Sequence, residues 1–271
     1  IYTLSLHDAL PIFGALTGLG GGMIIVPMLT LAFGVDIRYA IGASLISVIA
    51  TSSGAAAAYV REGYTNIRIG MFLEVATTVG ALGGAFIAGL ISTSAIAVIF
   101  SLVLAYSAFR SLRPREEHST DGPPDKWATR LRMDGTYPTP QGMQPYTVHN
   151  VPTGFSLMFA AGILSGLLGI GSGAVKVLAM DQAMRLPFKV STTTSNFMIG
   201  VTAAASAGVY LHRGYIDPII AFPVMLGVLA GALTGARVLA GAKVPALRAV
   251  VTVVIVFLAI EMAYKGLRGG I

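Results

Sequence analysis

Few charged residues fall inside the apolar stretches of this sequence, and those few are where chemistry is sought first. Lys176 is the one basic residue deep within such a stretch, three positions past Gly173. A buried ammonium is costly, so it is normally paired or put to use on an anion or a proton. Otherwise its stem carries the head out to water, here beside Asp181 and Gln182. Glu74 and Glu261 are the other charges most readily placed in the membrane. A carboxylate in a low dielectric can take up and release a proton, as proton-coupled transport requires. Glu74 can equally form a structural ion pair with Lys176, and Glu261, close to Lys265, can lie at the interface.

Two glycine clusters stand beside these charges. Gly18-Leu19-Gly20-Gly21-Gly22 runs into Ile25-Val26-Pro27, and Gly166-Leu167-Leu168-Gly169-Ile170-Gly171-Ser172-Gly173 runs into Lys176. Glycines in mid-segment weaken a continuous helix and admit close backbone approach. A helix broken there exposes N–H groups whose dipoles favour an anion. The alternative is helix packing on small residues, as in Gly14/Gly18 and Gly162/Gly166. No Gly-Lys-Ser/Thr follows, so neither cluster is a nucleotide loop. Ser191-Thr192-Thr193-Thr194-Ser195-Asn196 opens a later segment; its hydroxyls and amide can donate to substrate oxygens or cap and join helices. The substrate contacts expected on these grounds are Gly20, Gly21, Gly22, Gly171, Ser172, Gly173, Lys176 and Asn196, with Glu74 as the proton site. No catalytic constellation, metal site or cofactor motif is present in the sequence pattern.

The elements that must position these residues follow from composition. Of 271 residues, 55% are hydrophobic and 11% charged, too few polar groups to cover a soluble domain of this size. Apolar segments run over 13–33, 39–60, 69–90, 93–110, 153–180, 190–211, 218–240 and 247–265. The expected fold is all-α, a polytopic transmembrane bundle of about eight segments. The net charge of +6 sits mostly between apolar runs, where positive-inside bias puts it, so nucleic acid is not the partner; the lipid bilayer is. With no cysteine there is no disulfide framework.

Residues 1–12, IYTLSLHDALPI, read as a foreign leader standing where a truncated first helix should begin, the other reading being a genuine short N-terminal helix. Residues 13–110 form a first membrane repeat, 111–151 a solvent-side linker and 152–271 a second repeat. The linker carries six prolines with five acidic and five basic residues, so it is expected to be partly disordered. A constant shift of 151 residues brings the halves together: Ser44 onto Ser195, Thr51 onto Thr202, and YVREGY at 59–64 onto YLHRGY at 210–215. The tyrosine turns are expected to anchor at headgroup level. With four crossings per half the repeats are parallel; a segment that only re-enters would change that parity. Counting Lys and Arg in the connections gives eleven on the side of the N-terminus and linker against six on the other. This favours N- and C-termini both inside.

The paired glycine motifs, Gly20-Gly21-Gly22 followed by Ile25-Val26-Pro27, together with the YVREGY-type turns and the duplicated halves, resemble the sulfite exporter TauE/SafE family of bacterial membrane proteins. The likeness covers 13–110 and 151–268. It implies a multi-pass permease of the cytoplasmic membrane moving small anions such as sulfite or organosulfonates. The second copy departs from the pattern, with Gly171-Ser172-Gly173 and Lys176-Val177-Leu178 in place of the first copy's residues, and the linker is long. The expected function is a secondary transporter of small anions, coupled to protons, and not an enzyme; the other reading is a membrane scaffold or subunit of a larger complex. The sequence neither requires nor opposes a homodimer.

Overall fold

The computed structural model of the chain describes residues 21–61, 63–112, 125–139, 142–239 and 244–269. The expected leader, and Gly20 of the first glycine cluster, lie outside the described residues. Helices α1 (Gly22–Ala32), α2 (Ile37–Arg61), α3 (Ile67–Ala88) and α4 (Thr93–Leu112) make the first half. After the connector come α6 (Val151–Leu168), the short α7 (Gly173–Leu178), a single π-helical stretch (Ala179–Ala183), α8 (Phe188–His212), α9 (Pro218–Leu239) and α10 (Val244–Arg268). The protein is all-α and polytopic; Ile67–Ala88, Thr93–Arg110 and Val151–Leu168 are each long and apolar enough to cross a bilayer. Along α3, Met71, Val75, Val79, Leu82 and Phe86 form an exposed stripe at helical spacing, while Leu73, Thr77, Gly80 and Gly84 turn inward. Such a stripe suits lipid and not water.

Small residues set the central packing. On α3 and α6, Gly80, Gly84, Gly162 and Gly166 face each other across one crossing. A Cβ on Gly162 would strike the Thr77 carbonyl, and one on Gly166 the Ala81 carbonyl. Added at Gly84, it would overlap the Ile163 backbone. The packing reading of Gly162/Gly166 therefore holds, and the pairing recurs on α3. Without side chains between them the two backbones approach closely enough for dispersion and Cα–H···O contacts to hold them.

Contacts along the helices give their directions. The Asn66 N–H at the start of α3 donates to Thr194 Oγ1 near the start of α8, 3.1 Å away. Arg213, just past the end of α8, donates to the Ala85 carbonyl near the end of α3. Hence α3 and α8 run alongside in the same sense, and α6 shares it through its match of Gly162 to Thr77 and Gly166 to Ala81. For α6 and α8 to be parallel, the chain between them must return. It does so through α7 and the π-helical stretch, and the His149 N–H ahead of α6 meets the Met184 carbonyl at 3.1 Å. The apolar stretch 153–180 is thus a helix and a shorter return, not one crossing.

This reversal corrects the expected parity. The start of α2 packs against the end of α8, with Tyr39 and Arg38 on the ring of Tyr215, while Ser52 faces Gly200 midway along α8. Helices α2 and α8, expected to be parallel counterparts, run in opposite senses. The end of α10 lies beside the start of α4, with Gly266 against Ala97, so the C-terminal end sits opposite the linker and not on its side. Arg185 and Lys189, counted on the far side from the linker, are on the linker side, Lys189 lying over the Tyr64 ring.

The linker is more ordered than its composition suggests. Asp125 caps the short α5 (Lys126–Arg130) through the Trp127 N–H, and its other oxygen takes the Val151 N–H that opens α6. Strands β1 (Gly135–Thr139) and β2 (Gly142–Tyr146) pair antiparallel, Gly135 opposite Tyr146. Ala128, Met133, Tyr146 and Val148 are buried with Ile69, Leu73, Met180 and Met184 of the bundle. Asn66 joins the two parts: it caps α3 and donates to the Met133 carbonyl and to Tyr146 Oη. Burial pushes the Tyr146 phenol above its usual range, against the opposing effect of the Asn66 bond. Residues 113–124 lie outside the described residues.

Adjacent glycines on α3 test the packing. Gly84→Leu should lower unfolding stability in detergent by about 3 kcal/mol, since the helices must part. Gly83→Leu, where an added Cβ meets nothing within 4 Å, should change it by less than about 0.5 kcal/mol. Equal losses at both positions would show that the crossing is looser than described.

Candidate functional site

The turn between α6 and α7 is where the glycine cluster acts. Gly169 caps α6 with φ of 66°, and Gly171 and Ser172 follow at 70° and 45°. Three left-handed residues in four turn the chain back on itself, a path that glycine takes at least cost. The Gly169 carbonyl, freed from helix bonding, accepts from Ser44 Oγ of α2 at 2.9 Å. The Gly173 carbonyl accepts from Ser195 Oγ of α8 at 3.3 Å. Gly22, at the start of α1, fits against this turn: a Cβ there would come within 2.6 Å of the Gly169 carbonyl oxygen and 2.9 Å of Ile170 Cα. The two glycine clusters, far apart in sequence, therefore meet.

Below the turn lies a buried ion pair. Lys176 is completely buried, so its ammonium does not reach water beside Gln182. It donates to Thr202 Oγ1 of α8 and stands 3.9 Å from Glu74 Oε2 of α3. Thr202 in turn donates to Glu74 Oε1 at 2.7 Å, and Thr78 adds a second hydroxyl on the same oxygen at 3.2 Å. Glu74 Oε2 is buried with no hydrogen-bond partner. Three elements thus supply one cluster: α7 the cation, α3 the anion and α8 the hydroxyl between them. Neither the bilayer nor the protein interior solvates a lone charge, so each of the pair is held by the other.

Of the residues expected to touch substrate, Gly22, Gly171, Ser172 and Gly173 gather at the turn, whereas Gly21 faces α9, where an added Cβ would approach Val228, and lines an apolar cavity. Asn196 is buried on α8 directly after Ser195, the residue bound to Gly173. Lys176 and Glu74 pair one helical turn further on. The Ser/Thr run serves structure at Thr192 and Thr193, whose hydroxyls donate back to the Phe188 and Lys189 carbonyls. Glu261 lies half-buried on α10, apart from this cluster. Thr202 was not among the expected site residues. Its sole sequence signal is the match to Thr51 across the two halves, which does not distinguish it from any other hydroxyl. Ser165 and Ser172, flanking the turn, are buried with hydroxyls that find no protein partner. Buried polar atoms of this kind ordinarily serve a solute or water. A separate cavity of about 450 Å³ between α1 and α9, lined by Ile24, Met28, Ile220 and Val224, carries no charge and does not suit an anion. Among the described residues no cluster of His, Asp and Glu could hold a metal ion.

The ion pair makes a direct stability prediction. Lys176→Met leaves the Glu74 carboxylate buried without its cation and should cost about 3–5 kcal/mol, as should Glu74→Gln for the converse reason. The double variant should recover most of the loss in a thermal double-mutant cycle. Additive losses would mean that the two charges do not sense each other.

Comparison with known proteins bears on what such a cluster is for. The pattern of the family described as Sulfite exporter TauE/SafE matches residues 9–262. The chain is 26% identical over 265 residues to "Probable membrane transporter protein YunE" of Bacillus subtilis (strain 168), covering 94% of this chain and 93% of that protein. It is 27% identical over 221 residues to "Probable membrane transporter protein YdhB" of the same organism, covering 81% and 82%. A "Probable membrane transporter protein" of Xylella fastidiosa (strain 9a5c) is 26% identical over 217 residues, covering 80% of this chain and 76% of the relative. No solved structure gives a significant match. A multi-pass bundle with a buried charge pair beside a glycine turn, matched along nearly its whole length, belongs to the sulfite exporter TauE/SafE family of membrane transporters.

Proposed function

We propose that this transporter is a secondary carrier of small anions, such as sulfite or organosulfonates, in the bacterial cytoplasmic membrane, and that it is driven by protons. The observation that carries the reading is the buried Lys176–Thr202–Glu74 cluster next to a glycine turn with unpartnered hydroxyls. In this reading the backbone of Gly20–Gly22 and Gly171–Gly173 with Ser172 lines the anion site. Lys176 supplies positive field, Asn196 a side-chain donor and Glu74 the proton site.

The same reading makes the bundle two repeats related by inversion. Gly22 and Gly173, Ile37 and Phe188, Ile67 and Pro218, and Thr93 and Val244 each begin helices 151 residues apart, the shift at which the sequence halves coincide. The opposite senses of α2 and α8 support inversion and not the parallel arrangement. In inverted halves meeting at the mid-membrane, α1 and α7 are counterparts. Among the described residues, Arg68, Arg110, Lys126, Arg130, Arg132, Arg185 and Lys189 lie at the linker end, against Arg38, Arg213, Lys265 and Arg268 opposite. That bias supports a cytoplasmic linker end.

Reconstitution tests this. Liposomes bearing the protein should show saturable flux of at least one of sulfite, sulfate, sulfoacetate and taurine under an imposed pH gradient. Reversing the gradient should reverse the flux, and Lys176→Ala should reduce it at least tenfold, the effect of about 1.4 kcal/mol. Folded protein that moves none of these anions would favour a scaffold role instead.

A further inference from the structure

Resting on that reading of the cluster as the anion site, we infer that Lys176 exchanges partners, leaving Glu74 for the substrate anion only when Glu74 takes a proton, so that proton and singly charged anion move together without net charge. Lys176 and Glu74 are the only charged side chains that α3, α6, α7 and α8 bring to this point among the described residues; α6 has none, and those of α8 lie at its ends. The pair is neutral as it stands. An anion arriving at Lys176 while Glu74 is ionised would put two negative charges on one cation in a medium that tolerates no excess. Adding a proton to the carboxylate removes that conflict: ammonium, carboxylic acid and a monovalent anion again sum to zero.

The geometry provides the steps. The proton goes to Glu74 Oε2, the buried oxygen that no hydrogen bond occupies. No covalent bond to carbon forms or breaks, and the proton leaves by the same oxygen when the anion departs. Thr202 has one hydroxyl proton and two acceptors in reach, Glu74 Oε1 at 2.7 Å and the Met198 carbonyl at 3.1 Å. Facing the carboxylate it donates to Oε1 while accepting from Lys176. Once Glu74 is neutral the hydroxyl turns to Met198, loosening the bridge that ties the ammonium to α3. Thr202 is thus a positioning residue whose orientation reports the protonation of Glu74 to Lys176. The ammonium is then free to move toward Ser172, one helical turn back along the chain, whose buried hydroxyl lacks a partner.

The test uses the whole chain in liposomes and radiolabelled methanesulfonate, which stays singly charged across the working pH range. Accumulation driven by a pH gradient should not change by more than about twofold when a potassium diffusion potential of 100 mV is imposed. Movement of one net charge would instead shift the accumulation ratio about 50-fold. Glu74→Gln, in the fraction that folds, should abolish accumulation by the pH gradient, and whatever methanesulfonate exchange it retains should be independent of pH, because its ammonium and bound anion sum to zero without a proton. Thr202→Val should displace the pH profile of exchange, and Thr202→Ser should restore it, which separates positioning from a folding defect. Flux that follows the potential, or a Thr202→Val profile identical to wild type, overturns the partner exchange while leaving anion transport standing. No saturable methanesulfonate flux in wild-type liposomes defeats sulfonate transport and the exchange together.

Discussion

A completely buried ammonium inside a bundle that is itself surrounded by lipid sets the terms for the rest of this structure. Lys176 is completely buried in this structure, so its charge is stable there when a carboxylate reaches it. Glu74 does so from α3, which lies against α6 backbone to backbone where Gly80 and Gly84 cross Gly162 and Gly166. Widen that crossing by one side chain and the carboxylate recedes from the cation. The glycines of α3 and α6 and the ion pair are therefore one arrangement, in which packing at small residues sets the distance at which two charges meet.

The chain reversal at Gly169–Ser172 is the second necessity. A continuous helix through this stretch would carry Lys176 past the far face of the bundle. Turning back instead brings it to the middle, opposite α8, where Thr202 waits with a hydroxyl. The reversal also frees the Gly169 carbonyl, which Ser44 of α2 takes up, while Ser195 of α8 binds the Gly173 carbonyl at the start of α7. The folded hairpin of the linker closes the opposite end of the bundle, where Asn66 and Asp125 tie it to the first turns of α3 and α6. Mobile parts of a transporter are drawn from the less stable regions of its fold. The turn holds three residues in left-handed conformation, and the hydroxyls of Ser172 in it and Ser165 just before it have no protein partner.

The sequence made some of this legible for physical reasons and concealed the rest. Gly171, Ser172, Gly173, Lys176 and Glu74 stood out because glycine clusters and charges are improbable in apolar segments unless something requires them. The apolar run from 153 to 180 did not reveal its break as a reversal, since hydropathy registers depth in the membrane and not direction. That single point carried the error in parity through to the sense of α8 and the side of the C-terminal end. Thr202 was hidden because one hydroxyl on a helix face carries no sign of what the opposing helix presents. The linker's order was hidden as well, for Met133, Tyr146 and Val148 gain their burial from Met180 and Met184, distant in sequence.

The turn at Ser172 is where the account is most exposed to a direct test, and the absence of cysteine from the chain makes one clean. A Ser172→Cys variant that still transports would be treated with a membrane-impermeant thiol reagent, with and without saturating transported anion. If the glycine turn is the anion site, the thiol should react from the aqueous phase and the anion should slow that reaction in proportion to its occupancy. A reaction rate indifferent to the anion in a fully active variant would contradict the placement of the site at the turn.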